Sequence, residues 1–531
     1  MEDKRAQGLI EKFDELKSER YSYEHNWQDI RELVRPGTSD FQAERYKGDV
    51  RTEKIYDGTA PQSLVELAGA LHAFLTSPVD RWFILETIPQ NNDPEALLWL
   101  EDVSDRIYQE YSREDSTFNS ALQESYKDLG SFGTCVINQE NIDGLRFRSM
   151  ALADCWLSED STGKVDGVYR KVMLNSRQLL QQFPEAPFSR DIKEGKDKNR
   201  KYEILHMVFP RTDRLPFRLD QTNMPLASFW VMKEPDKMVL KESGFRTMPY
   251  HVGRWDKLSM ETYGRGPAIN CLPDIKMLNR MEFTNIKAAQ KAVDPPLMVP
   301  SDGYLMPLRA YPGAMLMREP GAEKIEAVPT SDKLLIGLEY TEQKRQFIKN
   351  CFFSDWVKLM PKKERQTAFE IAELVEQQLR MMAPMLGRIQ AELLGPLIER
   401  SYFLMLQSNQ LPPPPQTLSG QRLKVVYTST AAQAQKGQKA LGMARYSQEL
   451  LPMAQVDPTI MDAVDTDAYA QELALIRGVS RRILRSPEAI LGIREAREQQ
   501  RQAAMIAENM EPASKAVKNL ADAGKSTGVG L

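Results

Sequence analysis

Cysteine and histidine are nearly missing from this chain, with four of each in 531 residues. Cys135, Cys155, Cys271 and Cys351 lie far apart and share no motif, which argues against a disulfide framework and for a reducing compartment. His25, His72, His206 and His251 are as scattered, and none stands at ligand spacing from a cysteine or carboxylate, so no metal centre is expected. No run of about 18 apolar residues occurs, which excludes a membrane-spanning helix. Met1–Arg5 leads into a charged helical pattern without an apolar core segment, as expected of a chain with no signal peptide. A His-Glu-x-x-His pair is absent. Gly264-Arg265-Gly266 lacks the third glycine and the Gly-Lys-Ser/Thr of a phosphate loop, so its glycines read as a sharp turn. Paired carboxylates such as Glu373 and Glu376 read as helix surface. No catalytic residue and no cofactor are expected, and the chain reads as a non-enzyme.

Charge of one sign is also lacking. The chain has 74 acidic and 70 basic residues, a net charge of -4, so any nucleic-acid contact must come from local patches. Hydrophobic residues at 42% and charged residues at 27% are an ordinary globular balance. The length allows several cores, three or four modules by the usual domain size.

The richest stretch is YGRGPAINCLPDIKMLNRMEFTNIKAAQKAVDPPLMVP, residues 263–300. It predicts one long helix, opened by Pro267 in the first turn and stopped by Asp294-Pro295-Pro296. Arg265, Lys276, Arg280, Lys287 and Lys291 then fall within roughly 80° of arc. Leu272, Ile275, Leu278, Met281, Ile286, Ala289 and Val293 occupy the other sides and are expected to pack on protein.

Before this stretch, apolar spacing predicts helices over 4–20, 22–34, 59–75, 94–111 and 116–129, with Gly130 as a left-handed C-terminal residue. Between about 133 and 255 the period shifts towards two. Strands are expected at 134–138, 145–150, 165–174, 202–210, 228–233 and 249–254, with a short helix near 176–183. After the basic helix, 295–332 is a Pro- and Gly-rich excursion with small strands, and a helix returns over 333–354. The loop DWVKLMPKKE follows, and then a long helical pattern over 366–408 with Pro384 and Pro396 as kinks. A strand is expected at 423–428 and helices at 432–451, 458–484 and 487–510. The fold class is α+β, predominantly α.

Two helices flanking a small knob suit a ring of copies joined side to side. The run ETYGRGPAINCLPDIKMLN from Glu261 resembles the stem-entry segment of portal (head-to-tail connector) proteins of short-tailed podovirus-type bacteriophages. The run KKERQTAFEIAELVEQQL from Lys362 resembles their tunnel-loop and long-helix segment, through Arg365, Thr367-Ala368 and Glu370-Ile371. The likeness extends over nearly the whole chain in order and length. It implies a wing over 1–262 (helical, then β-rich), a stem helix over 263–294, a clip over 295–332 and a returning stem helix over 333–354. A tunnel loop over 355–366, a long kinked wing helix over 367–410 and a linker with a wing strand over 411–431 would follow. A helical crown over 432–510 and a tail or barrel over 511–531 would complete the chain. The resemblance also implies a dodecameric ring at one capsid vertex, through which double-stranded DNA is packaged and ejected. Its implied partners are terminase, tail or adaptor proteins, and the major capsid and scaffolding proteins. Its implied location is the virion, with host cytoplasm during assembly.

Within that frame Lys358, Lys362 and Lys363 suit loose contact with passing phosphate, their alternative being an ordinary exposed loop. The stripe from Arg265 to Lys291 either lines the channel, or is a solvated face, or meets a neighbouring subunit, to which Asp274 and Glu282 are also turned. Arg477, Arg481, Arg482 and Arg485 form a second basic cluster in the crown, facing packaged DNA or pairing with Glu472 and Glu488. The rival function is a helical adaptor or scaffolding protein of the virion without a DNA channel.

Overall fold

The computed structural model describes residues 4–42, 52–88, 93–194, 200–215, 218, 220–293, 297–298, 326–327, 334–354, 381–418, 420–429, 432, 442–453, 463–477, 485 and 489–502. They divide into two units. The first comprises Met1–Phe83, Val103–Pro412 and Tyr427–Gln435, and the second Ile84–Asp102, Pro413–Val426 and Lys436–Leu531. Helix and strand are mixed, as expected for an α+β chain.

The first unit opens with α1 (Lys4–Leu33), one continuous helix where two were expected. The apparent break near residue 21 arises because the inward positions there are charged. Arg20 is buried, and its guanidinium donates to the carbonyls of Leu152, Ala153 and Cys155 at 2.7–3.0 Å. It also pairs with Glu24 at 2.8 Å and lies 3.9 Å over the Trp156 ring. Upstream, Ala6, Ile10 and Phe13 of α1 pack on one face of an antiparallel five-stranded meander.

That sheet runs in the order β4 (Cys155–Glu159), β5 (Val165–Asn175), β6 (Lys201–Pro210), β7 (Leu226–Met232) and β8 (Met238–Phe245). Alternation divides its two faces. Leu205 and Met207 join the α1 side, while Ile204 joins Leu179, Phe183 and Phe188 on the other. A second sheet has the order β3 (Leu145–Met150), β2 (Thr134–Asn141), β9 (Tyr250–Arg254). Strand β1 (Phe83–Ile88) pairs with β12 (Arg422–Tyr427) alone. Strands β1, β4 and β8 were not anticipated. β1 and β4 each open with three consecutive buried residues and so show no alternation, while β8 is mostly half-buried and carries Lys241 and Glu242.

Helices α2 (Thr59–Leu75), α3 (Pro94–Ser112) and α4 (Phe118–Phe132) lie close to their expected ranges, with Asp93 accepting from the Glu95 N–H at the start of α3. Gly130 is helical, against expectation, because its bare backbone lets Leu64 and Leu67 of α2 come close. The left-handed residue is Gly133, at φ 79°. Its carbonyl accepts from Trp255 at 2.9 Å, and its missing side chain leaves room for Gly264, Arg265 and Gly266. Gly264 N–H donates to Thr134 Oγ1 at 2.8 Å. Gly266 has φ -91°, so these glycines serve close backbone approach rather than the sharp turn expected of them.

The histidines of this unit explain their lack of ligand spacing. His206 stacks on Trp230 and bonds Tyr250 Oη at 2.7 Å and Ser228 Oγ at 3.0 Å. His251 Nε2 donates to Gln139 Oε1 at 2.8 Å, and Gln139 donates in turn to Ser401 Oγ. Burial pushes both down to about 3, so each is a neutral, bonded core group at physiological pH. Among the described residues no three or more His, Cys, Asp or Glu side chains stand close enough together to hold a metal ion. No described helix is long and apolar enough to cross a membrane.

Of the kinked helix expected over 366–408, the described part runs as a helix over Ala383–Ile389, a π-helical turn over Gln390–Leu394 and a helix over Gly395–Gln407. Pro384 starts the first helix, and Pro396 follows the π turn, whose wider bonding tolerates the absent N–H. Gly395 N–H donates to the Gln390 carbonyl, which also receives the Tyr427 hydroxyl at 2.8 Å. Glu392 on this turn holds the buried Arg254 bidentately at 2.8 and 2.9 Å.

In the second unit, Asp465 Oδ1 caps the helix Thr466–Arg477 through the N–H groups of Asp467 and Ala468. Asp467 is gripped by both Arg494 Nη atoms at 2.7 Å. Further described helical residues cover 442–453 and 489–502, and the rest of the helices expected over 432–451, 458–484 and 487–510 lies outside the described residues.

A methyl at Gly133 would meet Gly266 N at 2.3 Å in a backbone conformation that alanine resists, whereas Gly387 is helical and faces open space. Gly133→Ala is therefore expected to destabilise the protein by about 2 kcal/mol or more, and Gly387→Ala to stabilise it by roughly 0.5–1 kcal/mol. Urea midpoints of the two variants check this; equal shifts would contradict the crossing described.

Candidate nucleic-acid interface

The basic stretch folds as a short helix α7 (Pro267–Asn270), a break at Cys271, and α8 (Leu272–Val293). The long helix expected from residue 263 therefore starts later. Its first residues are held extended by the glycine crossing, with Arg265 N–H donating to the Asp256 carbonyl at 2.7 Å. Helix α9 (Leu334–Cys351) packs along α8, its end beside the start of α8, so the two run antiparallel. Between them, β10 (Leu297–Met298) and β11 (Glu326–Ala327) pair antiparallel, Leu297 opposite Ala327. The rest of 295–332 lies outside the described residues.

Acidic residues on α8 meet α9 of the same chain. Asp274 pairs with Lys344 at 2.7 Å and Glu282 with Arg345 at 2.5 Å. The expectation that both are turned to a neighbouring subunit is thereby corrected: the antiparallel partner places its own cations within reach. Arg345 also donates to Asp57 at 2.9 Å. Burial pulls the Asp57 carboxyl up, but hydrogen bonds from Thr59 and Arg345 outweigh it and hold the group below the usual carboxylate range. The 52–58 segment is bound to α8 by three further contacts. Asn279 Oδ1 accepts from the Tyr56 N–H and its amide donates to the Lys54 carbonyl, both at 2.7 Å, while Tyr56 and Phe283 rings lie 4.8 Å apart. Asn279, Phe283 and Asp57 were not singled out from the sequence, because nothing local marks a polar helix residue that bonds a backbone more than 200 positions away.

The stripe residues divide. Arg265 precedes the helix and pairs with Glu261 at 2.5 Å, so it does not share the helical face. Lys276 is tied to Asp29 of α1. Arg280, Lys287 and Lys291 are exposed, and Lys287 lies 4.2 Å over the Phe283 ring. The four that lie on α8 span roughly 60° of arc. Packing of α8 also falls short of expectation. Only Leu272, Ile275 and Leu278 are buried, while Met277, Ile286 and Val293 are exposed, Val293 to 87%. On α9, Tyr340 and Phe347 are exposed as well. The far half of the helix pair thus presents apolar and cationic residues together.

Lys358, Lys362 and Lys363 lie outside the described residues, with the whole 355–366 loop. So do Arg481 and Arg482 of the other basic cluster. Arg477 ends the helix Thr466–Arg477, and Arg485 is exposed.

A family model described as bacteriophage head to tail connecting protein matches residues 6–484. A "Probable portal protein" of Bordetella phage BPP-1 is 28% identical over 514 residues, spanning 94% of this chain and 92% of its own length. A "Portal protein" of Salmonella phage epsilon15 is 28% identical over 548 aligned residues, spanning 98% of this chain and 96% of its own. A chain from the structure "Virion of native gene transfer agent (GTA) particle" superposes with a TM-score of 0.40 at 12% identity, covering 79% of this chain and 89% of that one.

Arg345→Ala strips Asp57 and Glu282 of their shared cation, while Lys344→Ala opens only a pair whose members are each about a quarter exposed. The first is expected to cost roughly 1–3 kcal/mol and the second clearly less. Limited proteolysis should cut the 52–58 segment faster in the Arg345 variant alone; equal cutting in both would show that Arg345 does not hold it.

Proposed function

The chain belongs to the bacteriophage head to tail connecting protein family, and from that premise we propose that it is the portal subunit of a phage head. Copies close into a dodecameric ring at one capsid vertex, a conduit for double-stranded DNA and a docking platform for terminase, tail or adaptor proteins, and capsid and scaffolding proteins. The observation that carries this reading is the family match over residues 6–484, joined by portal relatives aligned over nearly their whole length. Its role is architectural, and the energy for packaging comes from a separate ATPase.

In this reading α8 and α9 are the stem, 295–332 the clip, 355–366 the tunnel loop and 432–510 the crown. Two features support the stem assignment. The pair is braced within its own chain by Asp274–Lys344 and Glu282–Arg345, which makes a rigid two-helix stave. Its far half leaves Ile286, Val293 and Tyr340 uncovered, as side-to-side contacts between staves require. Arg280, Lys287 and Lys291 then line the path or pair across subunits, and Arg477, Arg481, Arg482 and Arg485 face the packaged DNA. Lys358, Lys362 and Lys363 suit a moving duplex: a compact ammonium steers phosphate without the bidentate grip that would brake it.

Replacing Lys358, Lys362 and Lys363 together by Gln should leave head assembly intact. DNA packaging should slow several-fold, and its dependence on salt should weaken. Normal packaging at every ionic strength would remove these residues from the path and favour an adaptor without a channel.

A further inference from the structure

Arg400 is a buried cation without a carboxylate partner among the described residues. It lies on the helix Gly395–Gln407 and is 6% exposed. Its Nη1 donates to the Thr247 carbonyl and to Thr247 Oγ1, both at 2.5 Å. Nε is shut in without a hydrogen-bond partner. Nη2, which is not shut in, has no partner among the described residues either. These two nitrogens form the edge of the guanidinium by which Arg254 grips Glu392 and Arg265 grips Glu261. At Arg400 that edge is bare.

Nearby carboxylates are committed elsewhere. Glu140 accepts from Asn138 at 2.6 Å and from Arg148 at 3.2 Å. Glu242 accepts from Arg5 and Arg211 at 2.8 and 2.9 Å. Glu399, one residue earlier, projects about 100° away around the helix. A second cation joins the same two elements: Arg246 lies 5.1 Å over the Phe403 ring, while Arg400 lies 5.7 Å from the Phe245 ring. Arg246 is exposed, and Phe245 and Phe403 are half-buried. Arginine and aromatic rings without acidic residues are the composition of an interface core. The receptor is also held firmly. Ser401 Oγ meets Tyr111 Oη at 2.7 Å and accepts from Gln139 Nε2 at 2.8 Å.

We propose that Arg400 receives a carboxylate side chain from a neighbouring copy of this chain. The carboxylate enters at Nη2 and completes the forked pair on Nε, offsetting the cost of a buried lone charge. Burial pulls the guanidinium down to about 10, so it stays charged at physiological pH. The patch cannot pair with itself, since two copies meeting by it would set cation against cation. The contact is therefore heterologous, joining different faces of successive copies, and contacts of that kind close rings. With 74 acidic and 70 basic residues, each copy has carboxylates in surplus. The inference rests on the portal reading and names one contact of its ring.

Arg400→Met in the full-length protein separates this role from a structural one. It removes a lone buried charge at similar volume, so the isolated subunit should melt no lower than wild type. Ring closure, followed by native mass spectrometry across concentrations, should need about tenfold more protein or fail. Arg400→Lys keeps the charge. Treated with a carbodiimide in rings mixed from isotope-labelled and unlabelled copies, it should yield a peptide joining the substituted residue to an Asp or Glu of another copy. Absence of that peptide would overturn the proposal whether or not Arg400→Met folds. Equal ring closure by wild type and Arg400→Met would overturn it and leave the ring standing, whereas a wild type that never closes would overturn both. If inorganic phosphate raises the melting temperature of wild type alone while ring closure is equal in the two, a dissolved anion takes the site and the proposal fails.

Discussion

The chain crosses itself where Gly133 meets Gly264–Gly266, and the elements around it are placed by that contact. Helix α4 can end there only because Gly133 adopts a left-handed conformation, and β2 starts at the next residue. The Gly-Arg-Gly-Pro loop must pass directly over that turn, with Thr134 Oγ1 receiving the Gly264 N–H and the Asp256 carbonyl receiving Arg265 N–H. No side chain fits between the two backbones. The direction in which α8 leaves the sheets is therefore set by backbone contact, which is stiffer than any arrangement of side chains.

Buried arginines hold the neighbouring parts to this crossing. Arg254, on β9 and 2% exposed, joins Glu392 of the π turn, Glu159 of β4 and the carbonyls of Thr262 and Gly163. Arg20 joins α1 to the 152–155 backbone. Buried ion pairs of this kind add little net stability over apolar replacements, yet losing one partner strands a charge in a dry interior. Their effect is to fix geometry: α1, both sheets and the 383–407 helices are held in one arrangement at the root of the α8–α9 pair. On the proposed portal reading, a stave along a conduit needs such a root.

Periodicity revealed the helices α2, α3, α4 and α9 and the central strands β2, β5, β6 and β7, because each buries a regular apolar face. It failed where burial is polar or one-sided. Arg20 and Glu24 disguised the continuity of α1, strands β1 and β4 bury unbroken runs without alternation, and β8 is mostly half-buried. Gly130 and Gly133 look alike in sequence, and only the approach of Leu64 to the first and Gly266 to the second tells them apart. Of the candidate interface, the cationic face of α8 was legible from its spacing, apart from Arg265. The partners of Asp274 and Glu282 were not, since they lie on a helix some 60 to 70 positions away.

The central claim is that the exposed far half of the α8–α9 pair is covered by other copies of the same chain in a closed ring. Native mass spectrometry of the purified protein, with negative-stain images of the largest species, tests it most directly. The account predicts a closed ring of 60.6 kDa subunits with a central hole, lost when Val293 and Tyr340 are both replaced by charged residues. A monomer that persists at high concentration, across salt conditions and with scaffolding protein present would contradict it.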